Sequence, residues 1–248
     1  MRLTDRICIV GGGKWSFGLT HPLDCSVYLI ETGEGCILVD AGCALEPERI
    51  KANIRDAGHN MKDIKKLILT HYHADHACGA RWICDESGCE VYASVPEREC
   101  IATGDDVASS LAPGRGKSYP ADFIYPACPE LKGLADGEIV SLGDVTMKVF
   151  YVPGHSLCDL VLFGRVGDRN CMFSGDAVFA GGEILLQSLY DVSILPYYEG
   201  IKKIAALETD ALFPGHGQII LSDGKWHVQK CLDAFENGLV PRQFHYFA

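Results

Sequence analysis

Four apolar runs in this chain each stop at a short polar step that carries histidine or aspartate. Lys66-Leu67-Ile68-Leu69 leads into Thr70-His71-Tyr72-His73-Ala74-Asp75-His76, and Val149-Phe150-Tyr151-Val152 leads into Pro153-Gly154-His155. Cys171-Met172-Phe173-Ser174 leads into Gly175-Asp176, and Ala211-Leu212-Phe213 into Pro214-Gly215-His216. Runs of this length, rich in Val, Ile, Leu and Phe, read as buried strands. Glycine stands directly before the polar residue in three of the four, which permits a sharp turn and a close backbone approach. The chain is therefore expected to gather several strand ends around one place, where sheet-based enzymes build their sites.

The first of these steps is the densest. An H-x-H-x-D-H pattern arises by chance in roughly one chain per thousand of this composition, so it is not incidental. Neutral imidazole and carboxylate together form the ligand set for zinc, iron or manganese. The strand ends offer His71, His73, Asp75, His76, His155, Asp176 and His216. Seven such ligands exceed the needs of one tetrahedral ion. With one carboxylate bridging, they suit two divalent ions about 3.5–4 Å apart.

Composition narrows the rest. At 248 residues with 48% apolar content, the chain can bury a sizeable core, and neither a linker nor a sharp composition shift divides it. One domain over residues 1–248 is expected. A net charge of −11 argues against nucleic acid as a partner, since that affinity rests on Lys and Arg neutralising phosphates. No apolar run approaches the ~20 residues that span a bilayer. The first residues, Met1-Arg2-Leu3-Thr4-Asp5-Arg6, lack the apolar core of a secretory signal. A cytoplasmic protein with a small-molecule substrate and no membrane partner is expected; the sequence leaves its oligomeric state open. The twelve cysteines include no C-x-x-C pair, and a chain of this kind uses most of them as small buried apolar groups in a reducing compartment.

Pro47 near the start, Ile50, Ile54 and Ala57 on one face, and Gly58 at the end mark a helix. A second is expected over roughly 75–86, with Trp82 and Ile83 toward the core. Ser94-Val95-Pro96-Glu97 reads as a capping box opening another. Residues from about 104 to 135 lack periodicity and hold four prolines and several aromatics, among them Tyr119, Phe123 and Tyr125. A loop of that length is expected to be a lid or substrate-binding insertion. Arg98, Arg115, Lys117 and Lys132 in or near it are candidates for holding an anionic substrate. Gly11-Gly12-Gly13-Lys14 fails the spacing of a phosphate-binding loop and reads as a turn. His21, His59, His227 and His245 lie outside the ligand pattern; His21 and His245 are the two best placed to border a pocket.

Taken in order, Asp40 in Val39-Asp40-Ala41-Gly42, the His71–His76 cluster, Gly154-His155-Ser156, Gly175-Asp176 and Gly215-His216-Gly217 closely resemble the signature elements of the metallo-β-lactamase superfamily. The resemblance covers nearly the whole chain. It implies an α/β fold: an αββα sandwich of two mixed β-sheets flanked by helices. It also implies that His71, His73 and His155 hold one ion, that Asp75, His76 and His216 hold the other, and that Asp176 bridges. Asp40 would orient the cluster from behind, as carboxylates near metal-bound imidazole do. An acidic residue at Asp176 points away from the antibiotic-destroying lactamases and toward glyoxalase II-like and lactonase-like hydrolases.

The likeness to glyoxalase II stops at the site. After Asp176 the chain continues Ala177-Val178-Phe179-Ala180-Gly181-Gly182, without the usual Gly-Cys-Gly-Arg, and after His155 it continues Ser156-Leu157-Cys158-Asp159. The segment beyond is also short for that family's glutathione-binding helical domain. The expected function is a dinuclear metal-dependent hydrolase, with zinc first and iron or manganese as alternatives. A metal-bridging hydroxide would cleave an ester, thioester or lactone, and Asp75 would shuttle the proton to the leaving group. The alternatives are a mononuclear iron oxidoreductase resembling persulfide dioxygenase, a phosphodiesterase-type member of the superfamily, and a metal-stabilised binding module without activity.

Overall fold

The structure, a computed structural model, describes residues 1–244, so His245 lies outside the described residues. One sheet runs in the order β1 (Ile7–Gly11), β2 (Val27–Thr32), β3 (Gly35–Val39), β4 (Ile64–Ile68), β5 (Glu90–Ser94) and β6 (Leu131–Leu134). Its first three strands pair antiparallel and the remaining pairs are parallel. The other sheet is built from β7 (Ile139–Leu142), β8 (Val145–Tyr151), β9 (Leu160–Val166), β10 (Arg169–Gly175) and β11 (Ala211–Pro214), in the order β11-β10-β9-β8-β7. Only β10 and β11 pair in parallel there.

The apolar runs are continuous because both faces of each sheet are covered. In β3, Ile37 and Val39 point between the sheets, where they join Ile68, Leu160, Leu162, Phe173 and Phe213. Cys36 and Leu38 point the other way, onto Ile50 and Ile54 of α1 (Pro47–Asp56) and Ile83 of α3 (Ala80–Ser87). The far side of the second sheet, Val161 and Met172 among it, packs on α5 (Ile194–Ala205) and α6 (Gly224–Glu236). The result is the expected αββα sandwich. Tyr28 stitches the sheets together beneath the site: its ring meets Phe173 and Phe213 at 5.5 Å, and its hydroxyl donates to Pro214 O at 2.6 Å.

Three expectations need correction. The helix expected over 75–86 is two pieces, α2 (Ala74–Ala77) and α3. The break falls at Gly79, whose missing side chain lets the backbone lie on Ala41; a Cβ there would come within 2.0 Å of the Ala41 carbonyl oxygen. The insertion ends in a strand of its own, β6, and Ile7–Gly11 forms an edge strand that the sequence reading passed over. The box at Ser94–Glu97 is half made. Ser94 Oγ accepts from Glu97 N at 3.3 Å, but the Glu97 carboxylate turns inward, and α4 (Arg98–Thr103) has no side-chain cap. All twelve cysteines are free thiols, eleven of them buried. Among the described residues no helix is long and apolar enough to cross a membrane.

Candidate metal centre

Every one of the seven expected ligands follows the carboxyl end of a strand: β4 for the cluster, β8 for His155, β10 for Asp176 and β11 for His216. All meet in one place, the three outside the cluster loop included. The ligand atoms of His71, His73 and His155 lie within 4.8 Å of one another, as do those of Asp75, His76 and His216. His73 Nδ1 and His155 Nε2 are 2.9 Å apart, and His216 Nε2 is 3.1 Å from Asp75 Oδ2. Asp176 sits between the two groups. Its Oδ1 is 3.4 Å from His76 Nε2, while its Oδ2 is 3.5 Å from His155 Nε2 and 3.6 Å from His216 Nε2.

The outward-facing atoms of these side chains are anchored, which fixes the inward-facing ones. His76 Nδ1 is 2.9 Å from Asp40 Oδ2, and Asp40 also accepts from Thr70 N and Oγ1 at 2.8 and 2.9 Å. His155 Nδ1 donates to Leu185 O at 2.9 Å. His71 Nδ1 lies 3.1 Å from Thr70 Oγ1 and 3.7 Å from Asp159 Oδ1. His73 Nε2 lies 3.6 Å from Asp191 Oδ2, which takes the Tyr72 hydroxyl at 2.6 Å. Such partners set the tautomer and direction of a ligating imidazole.

The arrangement fits a cation. His71 Nε2, His76 Nε2 and Asp176 Oδ1 are buried with no hydrogen-bond partner. An unsatisfied buried polar atom costs about 1–3 kcal/mol, and a packed core does not collect three of them without a reason. Burial, reinforced by the neighbouring imidazoles, holds His71 well below the ordinary histidine range. Burial likewise lowers His155. Both are therefore in the neutral form that coordinates metal. Burial opposes charge on Asp176, but His216 and His76 outweigh it and keep the carboxyl ionised.

Glycine at 215 is required by contact rather than by φ. A Cβ there would lie 2.3 Å from Asp176 Oδ1 and 2.6 Å from His76 Cε1. Gly215→Ala is expected to displace both side chains and lower metal affinity by about 10–100-fold, the range seen when ligand-orienting contacts are lost. Titration against a chromophoric chelator reads that loss directly.

A cavity of about 650 Å³ opens onto the cluster. Its floor is His73, Asp75, His155 and Asp176; its walls include Leu111, Pro113 and Tyr119 from the insertion, Leu185, Leu186 and Leu189, and Trp15. Lys14 is the one cation lining it among the described residues. The basic residues singled out in the sequence do not line it. Arg115 pairs with Asp106, and Lys132 with Glu90. His21, His59 and His227 are also elsewhere: His59 meets Glu31 at 3.1 Å, and His227 accepts from Gly181 N at 2.7 Å.

Sequence reading missed Asp159, Asp191 and Glu97, all buried. Glu97 braces both ligand loops. It accepts from Tyr72 N at 2.9 Å, between His71 and His73, and from Ser156 Oγ and Cys158 N at 2.7 Å, just beyond His155. Burial, then the charge of Asp159, pushes its carboxyl well above the usual range.

The fold and the cluster define a metal-binding sandwich of a recognisable class. The family model of the metallo-beta-lactamase superfamily matches residues 21–216. The chain belongs to that superfamily. A beta-lactamase-like protein 2 homologue of Drosophila melanogaster is 27% identical over 79% of this chain and 59% of its own. An atrochrysone carboxyl ACP thioesterase of Aspergillus fumigatus is 25% identical over 88% of this chain and 58% of its own. The chain thus spans a little over half the length of these curated relatives. A subclass B3 metallo-beta-lactamase of Bradyrhizobium japonicum shares the fold, with a TM-score of 0.72, 23% identity and coverage of 96% of this chain and 91% of its own.

Proposed function

We propose that this protein is a dinuclear metal-dependent hydrolase acting on the acyl carbon of a thioester or ester. The observation that carries the two-ion reading is Asp176, whose carboxylate reaches both ligand groups, Oδ1 beside His76 and Oδ2 between His155 and His216. His71, His73 and His155 would hold one ion and Asp75, His76 and His216 the other, with zinc as the first choice for an all-imidazole and carboxylate set. When bound, the ions supply Lewis acidity: they lower the pKa of water from about 15.7 toward about 7, on the order of 12 kcal/mol, and polarise a carbonyl oxygen.

The chain supplies the rest. Leu111, Leu185, Leu186, Leu189 and Trp15 offer an apolar wall for an acyl group. Asp75, at the cavity floor, would hold the proton released from water and return it to the leaving thiolate or alkoxide. The thioesterase among the relatives supports a thioester. Beyond the ions, among the described residues only Lys14 brings a cationic side chain to the cavity, which favours an uncharged acyl group over a phosphodiester. A single-iron oxygenase is disfavoured by the complete second group around His76. Twelve free thiols support a reducing compartment such as the cytoplasm. The insertion, walling the cavity, would act as the substrate-binding element.

A metal-replete screen over acyl thioesters, aryl esters, lactones and phosphodiesters tests the proposal. Turnover of the acyl substrates is expected. Turnover of phosphodiesters alone, or sulfur-dependent oxygen uptake with one iron per chain, would contradict it.

A further inference from the structure

The insertion reaches the metal centre itself. Tyr119 donates its hydroxyl to Asp75 Oδ1 at 3.0 Å. The other oxygen, Oδ2, faces His216 Nε2 at 3.1 Å and His76 Nε2 at 3.7 Å. Tyr119 is itself well held. Its N–H donates to Gly114 O at 3.1 Å, its carbonyl accepts from Gly116 N at 2.8 Å, and its ring stacks on Phe123 at 5.4 Å with planes 13° apart. The segment behind it is tied to the same cluster, since Tyr125 Oη donates to Tyr72 O at 2.8 Å.

We propose that Tyr119 is a positioning residue of the metal centre, holding Asp75 Oδ1 so that Oδ2 alone is presented to the group around His76 and His216. The inference rests on the two-ion reading above. A carboxylate is symmetric, and nothing in its own chemistry selects one oxygen as ligand. A hydrogen bond to one of them does so, and it also stops the group from swinging into the cavity. Because Tyr119 lines that cavity, the same side chain sets the ligand and walls the substrate. Substrate-binding insertion and metal centre are thereby one unit rather than two.

The test is Tyr119→Phe, which keeps the stack on Phe123 and removes only the hydroxyl. Zinc is titrated into metal-free parent and variant in competition with a chromophoric chelator, and the melting temperature of each metal-free chain is recorded. Loss of an outer partner of a ligand lowers metal affinity by about 10–100-fold. That loss is expected in the second equivalent only, with the first equivalent and the melting temperature unchanged. At limiting zinc, kcat should fall with KM held, and excess zinc should restore it. Equal second-equivalent affinity in parent and variant would overturn the proposal. So would a parallel weakening of both equivalents with a lower melting temperature, which marks a general loosening of the insertion. Failure of the two-ion reading is seen separately, as a parent chain that takes up one equivalent.

Discussion

Asp176→Ala is expected to lose hydrolysis by well over 100-fold and to weaken both metal equivalents together. Removing even the outer partners of metal ligands costs about 10–100-fold, and Asp176 is closer in than that. Its two oxygens lie 3.4 Å from His76 Nε2 and 3.5 Å from His155 Nε2, in opposite halves of the cluster. Its Oδ2 also lies 3.6 Å from His216 Nε2, so the one carboxylate spans both groups. The variant should still fold, since removing the carboxylate also removes a buried charge. Metal titration alongside steady-state kinetics checks this. Loss of one equivalent with the other intact would mean that Asp176 serves a single ion.

Glu97→Ala is expected to destabilise the chain by at least about 3 kcal/mol. Three buried donors, Tyr72 N, Ser156 Oγ and Cys158 N, would be left without their acceptor, at about 1–3 kcal/mol each. For a chain of this size that corresponds to a melting temperature lower by roughly 6–12 °C. Because the donors flank His73 and His155, metal affinity should fall as well. Thermal unfolding of the metal-free variant separates the two effects. A loss below about 1 kcal/mol would mean that water replaces the carboxylate, and that Glu97 is not the brace between the ligand loops.

Much of this was legible before any coordinates. The convergence of the seven side chains could be read because strand ends leave a double mark: an apolar run that needs two covered faces, then a turn, in three of four cases through glycine, into a polar residue. Helix α1 was placed correctly because Pro47 opens it and Ile50 and Ile54 share its buried face. Helix α3 was misjudged because the reason for its late start, the close approach of Gly79 to Ala41, is a tertiary contact with no local trace. The supporting acids were missed for a related reason. Asp159, Asp191 and Glu97 come from three separate segments, and each looks locally like an ordinary loop or helix-start residue. Glu97 fits a capping box so well that its inward turn is invisible in the sequence. The insertion betrayed itself by its lack of periodicity, but which of its aromatics met the site depended on a turn closed by Gly114 and Gly116.

The most direct test is the number of metal ions the parent chain takes up. Metal-free protein titrated with zinc, with bound metal and acyl hydrolysis measured on the same samples, should bind two equivalents per chain. Activity should rise with the second equivalent, and chelation should abolish it reversibly. Full activity at one equivalent per chain, with no second bound, would contradict the dinuclear site.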